Sequence, residues 1–162
     1  MSWRRFCANP ESTRRAGEEL AALLRAGDVV LLSGQLGAGK TTFVQGVARG
    51  LGASDRVTSP TFTIVREHRC VNERGISTLH HADVYRVGSI AEVIDLDLGE
   101  LLEEGGVAVI EWGEIAAPVF DPEVLSVTFL LADGAEDEGR TLVVDGALAR
   151  GRAEELGRWA AG

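Results

Sequence analysis

Val29-Val-Leu-Leu-Ser-Gly-Gln-Leu-Gly-Ala-Gly-Lys-Thr-Thr42 is the stretch on which the reading of this chain turns. Its first four residues are an unbroken apolar run, the pattern of a strand buried on both faces. Gly34 to Thr41 then fits G-x-x-x-x-G-K-[ST] at every fixed position. Residues 40–51 have helical spacing, with Gly50 and Gly52 as stop signals. Strand, glycine-rich turn and helix in that order make a phosphate cradle. Backbone N–H groups through Gly37, Ala38 and Gly39 point inward, and the helix adds its positive end. Lys40 is expected to reach the β- and γ-phosphates of a nucleoside triphosphate. The Thr41 hydroxyl is a natural Mg²⁺ ligand, and Thr42 is placed to donate to the α-phosphate.

Outward from this stretch, strand and helix patterns alternate. Residues 3–7 suit a short strand, and residues 11–25 a helix with Ala16, Leu20, Leu23 and Leu24 on one face. Asn9 is a candidate cap for it, with Pro10 in its first turn. A loop around Ser59-Pro60 leads into a strand over residues 62–65. Gly75 marks a hairpin turn, and residues 76–82 a returning strand that ends at Asp83. Residues 89–102 form an acidic helical region, and Val107-Ala-Val-Ile110 another buried strand. Residues 124–131 and 140–144 suit two late strands joined by the acidic loop 133–139, and residues 147–159 a terminal helix. These patterns predict an α/β fold of the P-loop NTPase type. Its mixed, mainly parallel sheet carries antiparallel parts and is flanked by helices. Nothing divides residues 1–162 into separate domains.

Composition narrows the function. The 162 residues are 45% hydrophobic and 25% charged, as in globular proteins. No apolar run approaches the ~20 residues that cross a bilayer, and Met1 to Ala8 has no apolar core of a secretory signal. Cys7 and Cys70 match no zinc or redox spacing and are expected to be reduced thiols in the cytoplasm. The net charge is −9 but unevenly spread. Residues 1–86 hold 12 basic and 8 acidic side chains, a net +4, whereas residues 87–162 hold 4 and 17, a net −13. Such a chain does not grip a phosphate backbone unaided. Of the 16 basic residues 15 are arginine, and the single lysine is Lys40 in the phosphate loop. There a compact ammonium on a flexible stem is needed, which a planar guanidinium does not replace.

Further residues carry chemistry. Glu111 ends the strand 107–110, where an acid beside a phosphate loop serves Mg²⁺. Asp83 also follows a strand, and is placed to orient the attacking water or accept its proton. His80 and His81 are neighbours on a strand and point to opposite faces, so they read as structural and not as a metal pair. Thr58-Ser-Pro-Thr61 is a shaped hydroxyl-rich loop of the kind that senses a γ-phosphate, or an ordinary turn.

Together, Gly34-Gln-Leu-Gly-Ala-Gly-Lys-Thr-Thr42, Ser59-Pro-Thr-Phe62, His81-Ala-Asp-Val-Tyr-Arg86 and Ile110-Glu-Trp112 resemble the TsaE (YjeE) family in order and interval, over roughly residues 10–145. The resemblance implies a small bacterial ATPase, with ATP and Mg²⁺ as cofactors, needed to form threonylcarbamoyladenosine in tRNAs reading codons that begin with A. It implies TsaD, which transfers the threonylcarbamoyl group, and TsaB as partners. It assigns Thr41 and Glu111 to Mg²⁺ and Asp83 to hydrolysis. It also places Pro10 to Thr13 by the nucleotide base, and Gly139-Arg140 closing over the nucleotide. Asp97 stands where that pattern has a glycine, and residues 134–138 match no motif of it.

Other P-loop functions fit less well. A kinase of this class needs a lid of arginines, and only Arg140, Arg150, Arg152 and Arg158 follow Arg86. A guanine-selecting Asn-Lys-x-Asp motif is impossible with Lys40 as the only lysine. A nucleotide-gated scaffold without catalysis leaves Asp83 and Glu111 without a task.

Overall fold

The computed structural model describes residues 1–35, 37–58, 65–84, 91, 98–112, 123–131 and 139–162. The strands are β1 (Trp3–Cys7), β2 (Val29–Gly34), β3 (Val65–Arg69), β4 (Thr78–Asp83), β5 (Gly106–Glu111), β6 (Leu125–Leu131) and β7 (Arg140–Asp145). The helices are α1 (Pro10–Ala21), α2 (Lys40–Gly50), α3 (Leu98–Glu103), α4 (Ala147–Arg150) and α5 (Ala153–Ala161).

The two unbroken apolar runs sit side by side at the middle of the sheet, as burial on both faces requires. β2 and β5 pair in parallel, with Val30 beside Val109 and Leu32 beside Glu111. The strand order is β1-β7-β6-β2-β5-β4-β3. β6, β2, β5 and β4 are mutually parallel. β7 is antiparallel to both β1 and β6, and β3 to β4. The predicted mixed, mainly parallel sheet is therefore observed, with its antiparallel parts at the two ends.

Alternate residues of each strand feed different cores. Val30, Leu32, Leu79, Val107, Val109 and Val127 pack beneath α1, α2 and α5, against Leu20, Phe43, Val47, Leu156 and Trp159. Val29, Leu31, Ala82, Ala108 and Ile110 face the opposite way, against Leu102 of α3. The parity fixes the site: residues 79, 81 and 83 of β4, and 107, 109 and 111 of β5, all face α2.

α1 and α2 meet backbone to backbone. A Cβ at Gly17 would stand 2.2 Å from the Phe43 carbonyl oxygen, and one at Gly46 only 1.9 Å from that of Arg14. The same approach sets Thr13 of α1 beside the phosphate loop. Its methyl is 3.6 Å from where a Cβ of Gly39 would be. α1 begins as expected, with Asn9 Oδ1 accepting from the Ser12 amide at 2.9 Å and Pro10 in the first turn. It ends at Ala21, short of the expected residue 25. The Leu23 and Leu24 amides turn back on the Leu20 and Ala21 carbonyls at 2.9 and 3.2 Å. Arg74 then donates to the Ala21 and Leu24 carbonyls at 2.6 and 2.7 Å.

The expected terminal helix over 147–159 is two helices, α4 and α5. Arg152 between them leaves helical geometry at φ −129°. Its guanidinium forms a buried two-pronged pair with Asp28, with Nη2 to Oδ1 at 2.9 Å. A buried arginine must be satisfied by hydrogen bonds, and this pair outweighs helix continuity. The expected Ser59-Pro60-Thr61 loop, the strand start at 62–64, Tyr85, Arg86, most of the acidic helical region 89–97 and the acidic loop 133–138 lie outside the described residues, as does Leu36.

Two outcomes follow from this packing. Gly46→Ala is expected to destabilise the fold by at least ~1–3 kcal/mol, because α1 must move off α2; urea unfolding measures it. His80 faces away from α2, buried, with Nδ1 3.7 Å from Glu67, too far for a hydrogen bond. Burial pushes its pKa below the usual 6.5, against the upward pull of Glu67 and Glu104. The unfolded chain therefore takes up this proton first as pH falls. Stability should be full above about pH 6.5 and decline below it, by at most ~1.4 kcal/mol per pH unit. His80→Gln should flatten that slope in unfolding curves taken across roughly pH 5–8.

Candidate nucleotide-binding site

β2 runs out at Gly34, and α2 begins at Lys40 with Gly39 as its N-cap in the left-handed region, φ 96°. That conformation suits glycine, and it leaves the first amides of α2 without a side-chain cap. The loop opens at the carboxyl edge of the parallel strands, where open α/β sheets hold ligands. Gly37, Gly39, Lys40, Thr41, Thr42, Asp83, Glu111 and Trp112 line one cavity of about 270 Å³ there.

The two acids are Cα partners at the ends of adjacent strands, Asp83 on β4 and Glu111 on β5. Glu111 is only 4% exposed. Its Oε1 accepts from the Thr41 hydroxyl at 3.2 Å, and its Oε2 lies 2.6 Å from Nε2 of His81. Lys40 is 5% exposed. Its ammonium donates to the Gly34 carbonyl at 2.6 Å and lies 3.3 Å from the centroid of the Trp112 ring. Trp112 holds φ 63°, the only non-glycine residue with positive φ among the described residues. Backbone strain of this kind gathers at functional sites.

Other expected site residues surround the loop. Arg140, at the start of β7, donates from Nε to the Ala38 carbonyl at 3.2 Å and from Nη2 to that of Gly37 at 3.3 Å. Its Nη1 donates to the Gly139 carbonyl at 2.9 Å, so one guanidinium ties the loop to the start of β7. Thr13 is buried against Gly39. Pro10 is exposed at the start of α1, and neither it nor Gly139 lines the cavity.

Sequence reasoning missed two contacts. The sequence reads His81 as structural, but it shares the α2-facing side with Asp83 and reaches Glu111. The signal was present in the spacing of His81 and Asp83, two apart on one strand. Trp112 is expected near the nucleotide because it adjoins Glu111, and it lines the cavity, but its seat against Lys40 depends on the strained turn after β5.

A loop of this build at the carboxyl edge of a parallel sheet defines a P-loop nucleotide-binding protein. A sequence model described as "Threonylcarbamoyl adenosine biosynthesis protein TsaE" matches residues 7–152, and the chain belongs to that family, one of P-loop ATPases. It is 40% identical over 138 residues to a protein of Bacillus subtilis named "tRNA threonylcarbamoyladenosine biosynthesis protein TsaE", covering 85% of this chain and 82% of that one. A protein of the same name from Treponema pallidum is 42% identical over 125 residues, 76% of this chain and 89% of the other. The crystal structure of Bacillus subtilis YdiB superposes with a TM-score of 0.74 at 32% identity, over 99% of this chain and 95% of that one. No described helix is long and apolar enough to cross a membrane.

The Lys40–Trp112 contact gives the site an optical reporter. Phosphates arriving in the loop compete with the indole for the ammonium, so Mg-ATP should change the tryptophan fluorescence. Trp112→Phe should remove most of that change, because Trp3 on β1 and Trp159 on α5 are buried and neither lines the cavity. An unchanged ATP-induced signal in that variant would place the reporter elsewhere.

Proposed function

We propose that this chain is a Mg²⁺-dependent ATP hydrolase that supports a TsaD–TsaB pair in forming threonylcarbamoyladenosine in tRNA. The observation that carries the reading is the pairing of Asp83 with Glu111 at one level of the sheet edge, in one cavity with Lys40 and Thr41. The donor set fits the metal. Mg²⁺ favours hard oxygen ligands, takes one or two from the protein and completes its shell with phosphate and water. The Thr41 hydroxyl and the Glu111 carboxylate, 3.2 Å apart, supply such oxygens. When bound, the ion would screen charge on the β- and γ-phosphates and lower the barrier to their separation.

Each residue of the chain then has a task. Amides of Gly37, Ala38, Gly39, Thr41 and Thr42 bind phosphate oxygens. Lys40 leaves the Gly34 carbonyl and the Trp112 ring to pair with the β- and γ-phosphates. Asp83 orients a water toward the γ-phosphorus and holds its proton as the new P–O bond forms and the bond to the β-phosphate oxygen breaks. Arg140 keeps the loop in shape through its carbonyls. Pro10, Thr13 and Gly139 border the nucleoside end.

The charge of the chain favours a protein partner over direct tRNA binding, since residues 87–162 carry −13. The work is cytoplasmic on this reading, where tRNA is modified. A partner whose affinity depends on the nucleotide must change nucleotide affinity by the same factor.

ATP turnover with and without the TsaD–TsaB pair, across a Mg²⁺ titration, tests the reading. The pair should accelerate slow basal turnover, and the chain alone should not shift tRNA in a gel. Lys40→Ala should lose at least ~100-fold in rate, and Lys40→Arg should fail too. Asp83→Ala should keep ATP affinity within about threefold while losing turnover. Glu111→Ala should raise the Mg²⁺ requirement. Identical Mg²⁺ curves for the two acid variants would refute the division of roles, and fast unassisted turnover the partner model.

A further inference from the structure

We propose that His81 is a positioning residue for Glu111: its imidazole donates from Nε2 to one carboxylate oxygen and so aims the other at the metal side of the site. The inference deepens the magnesium reading of Glu111 and rests on it.

The geometry is specific. His81 is fully buried at 0% exposure, and Glu111 is 4% exposed. Nε2 lies 2.6 Å from Oε2, the short distance of a charge-assisted hydrogen bond. Thr41 Oγ1 is nearer to Oε1, 3.2 against 3.5 Å for Oε2. The two donors thus divide the carboxylate between them, His81 from the strand side and Thr41 from the helix. A carboxylate on a two-bond stem turns freely unless both oxygens are engaged. Here the plane of the group is fixed before any ligand arrives.

The other ring nitrogen identifies the tautomer. Nδ1 of His81 is buried without a hydrogen-bond partner among the described residues. A proton there would be a buried donor with no acceptor, and would leave a lone pair on Nε2 pointing at an anion. A proton on Nε2 instead makes the bond to Glu111 and leaves only a lone pair unmatched, the less costly vacancy. Strand parity supplies the placement. His81 and Asp83 are two apart on β4, and Asp83 is the Cα partner of Glu111, so one strand sends an orienting ring and a water-binding acid to the same face. Partners that orient a metal-binding carboxylate typically contribute 10–100-fold to metal affinity.

The test contrasts two side chains that differ in where they hold an N–H. In His81→Gln the amide nitrogen lies near the position of Nε2 and keeps the donor. In His81→Asn it lies near Nδ1 and cannot reach Glu111. ADP binding is measured by calorimetry at rising Mg²⁺ and once in EDTA, with thermal unfolding as the check on folding. His81→Asn should need about 10–100-fold more Mg²⁺ for half-maximal tight binding, with the affinity in EDTA within about twofold of wild type. His81→Gln should stay within about threefold throughout. Nitrogen NMR of the wild-type imidazole reads the tautomer with no variant at all, and should find the proton on Nε2. The inference is overturned if His81→Asn titrates like wild type, if it weakens ADP as much in EDTA as in Mg²⁺, if His81→Gln is no better than His81→Asn, or if the proton sits on Nδ1. Glu111→Gln separates the two levels. Should it leave the Mg²⁺ dependence unchanged, the magnesium reading falls and this inference with it; should it raise that dependence while His81→Asn does not, only the inference falls.

Discussion

A carboxylate that is 4% exposed at the end of a buried strand cannot be left without donors. Among the described residues Glu111 has two, and they come from different layers: Thr41 from α2 and His81 from β4. The bond to Thr41 sets the rotation of α2 above the sheet. The bond to His81 locks β4 to β5 by side chains as well as by the ladder. A group proposed to serve a cation thus also holds the site's walls together, and the phosphate loop lies against that arrangement.

The loop is held from its other sides by small and rigid contacts. Gly17 and Gly46 let α1 lie directly on α2, where any side chain would strike a carbonyl. Arg140 ties the Gly37 and Ala38 carbonyls to β7. Preorganisation of this kind spares the cost of ordering a loop when a ligand binds. Lys40 is the exception: it is held by carbonyls and an aromatic ring from which phosphate can draw it.

Much of this was legible because the sequence signals were local. The run from Val29 to Thr42 needs nothing beyond itself to predict strand, loop and helix, and Asp83 and Glu111 are marked by ending apolar strands. The contacts that escaped prediction join distant segments. His81 reads as structural because it and His80 point to opposite faces; its spacing from Asp83 gives their shared face, but only the β4–β5 register brings it to Glu111. Arg152 breaks a well-patterned helix because Asp28, 124 positions away, demands it. Resemblance implies Gly139-Arg140 closing over the nucleotide; the bonds of Arg140 to the Gly37 and Ala38 carbonyls have no local signal, since a lone Gly-Arg pair carries no such meaning.

The pairing of β1 with β7 also has a consequence in time. Trp3 lies beside Val144 and Cys7 beside Arg140, so the strand that is translated early waits for one translated late. Closure of so long a loop is slow, and contacts of this span lower folding rates. β2, β4 and β5 are complete some thirty residues before β7 leaves the ribosome. Through that interval β1 lacks its strand partner, and with Phe6 exposed it is open to mispairing with neighbouring chains until β7 arrives.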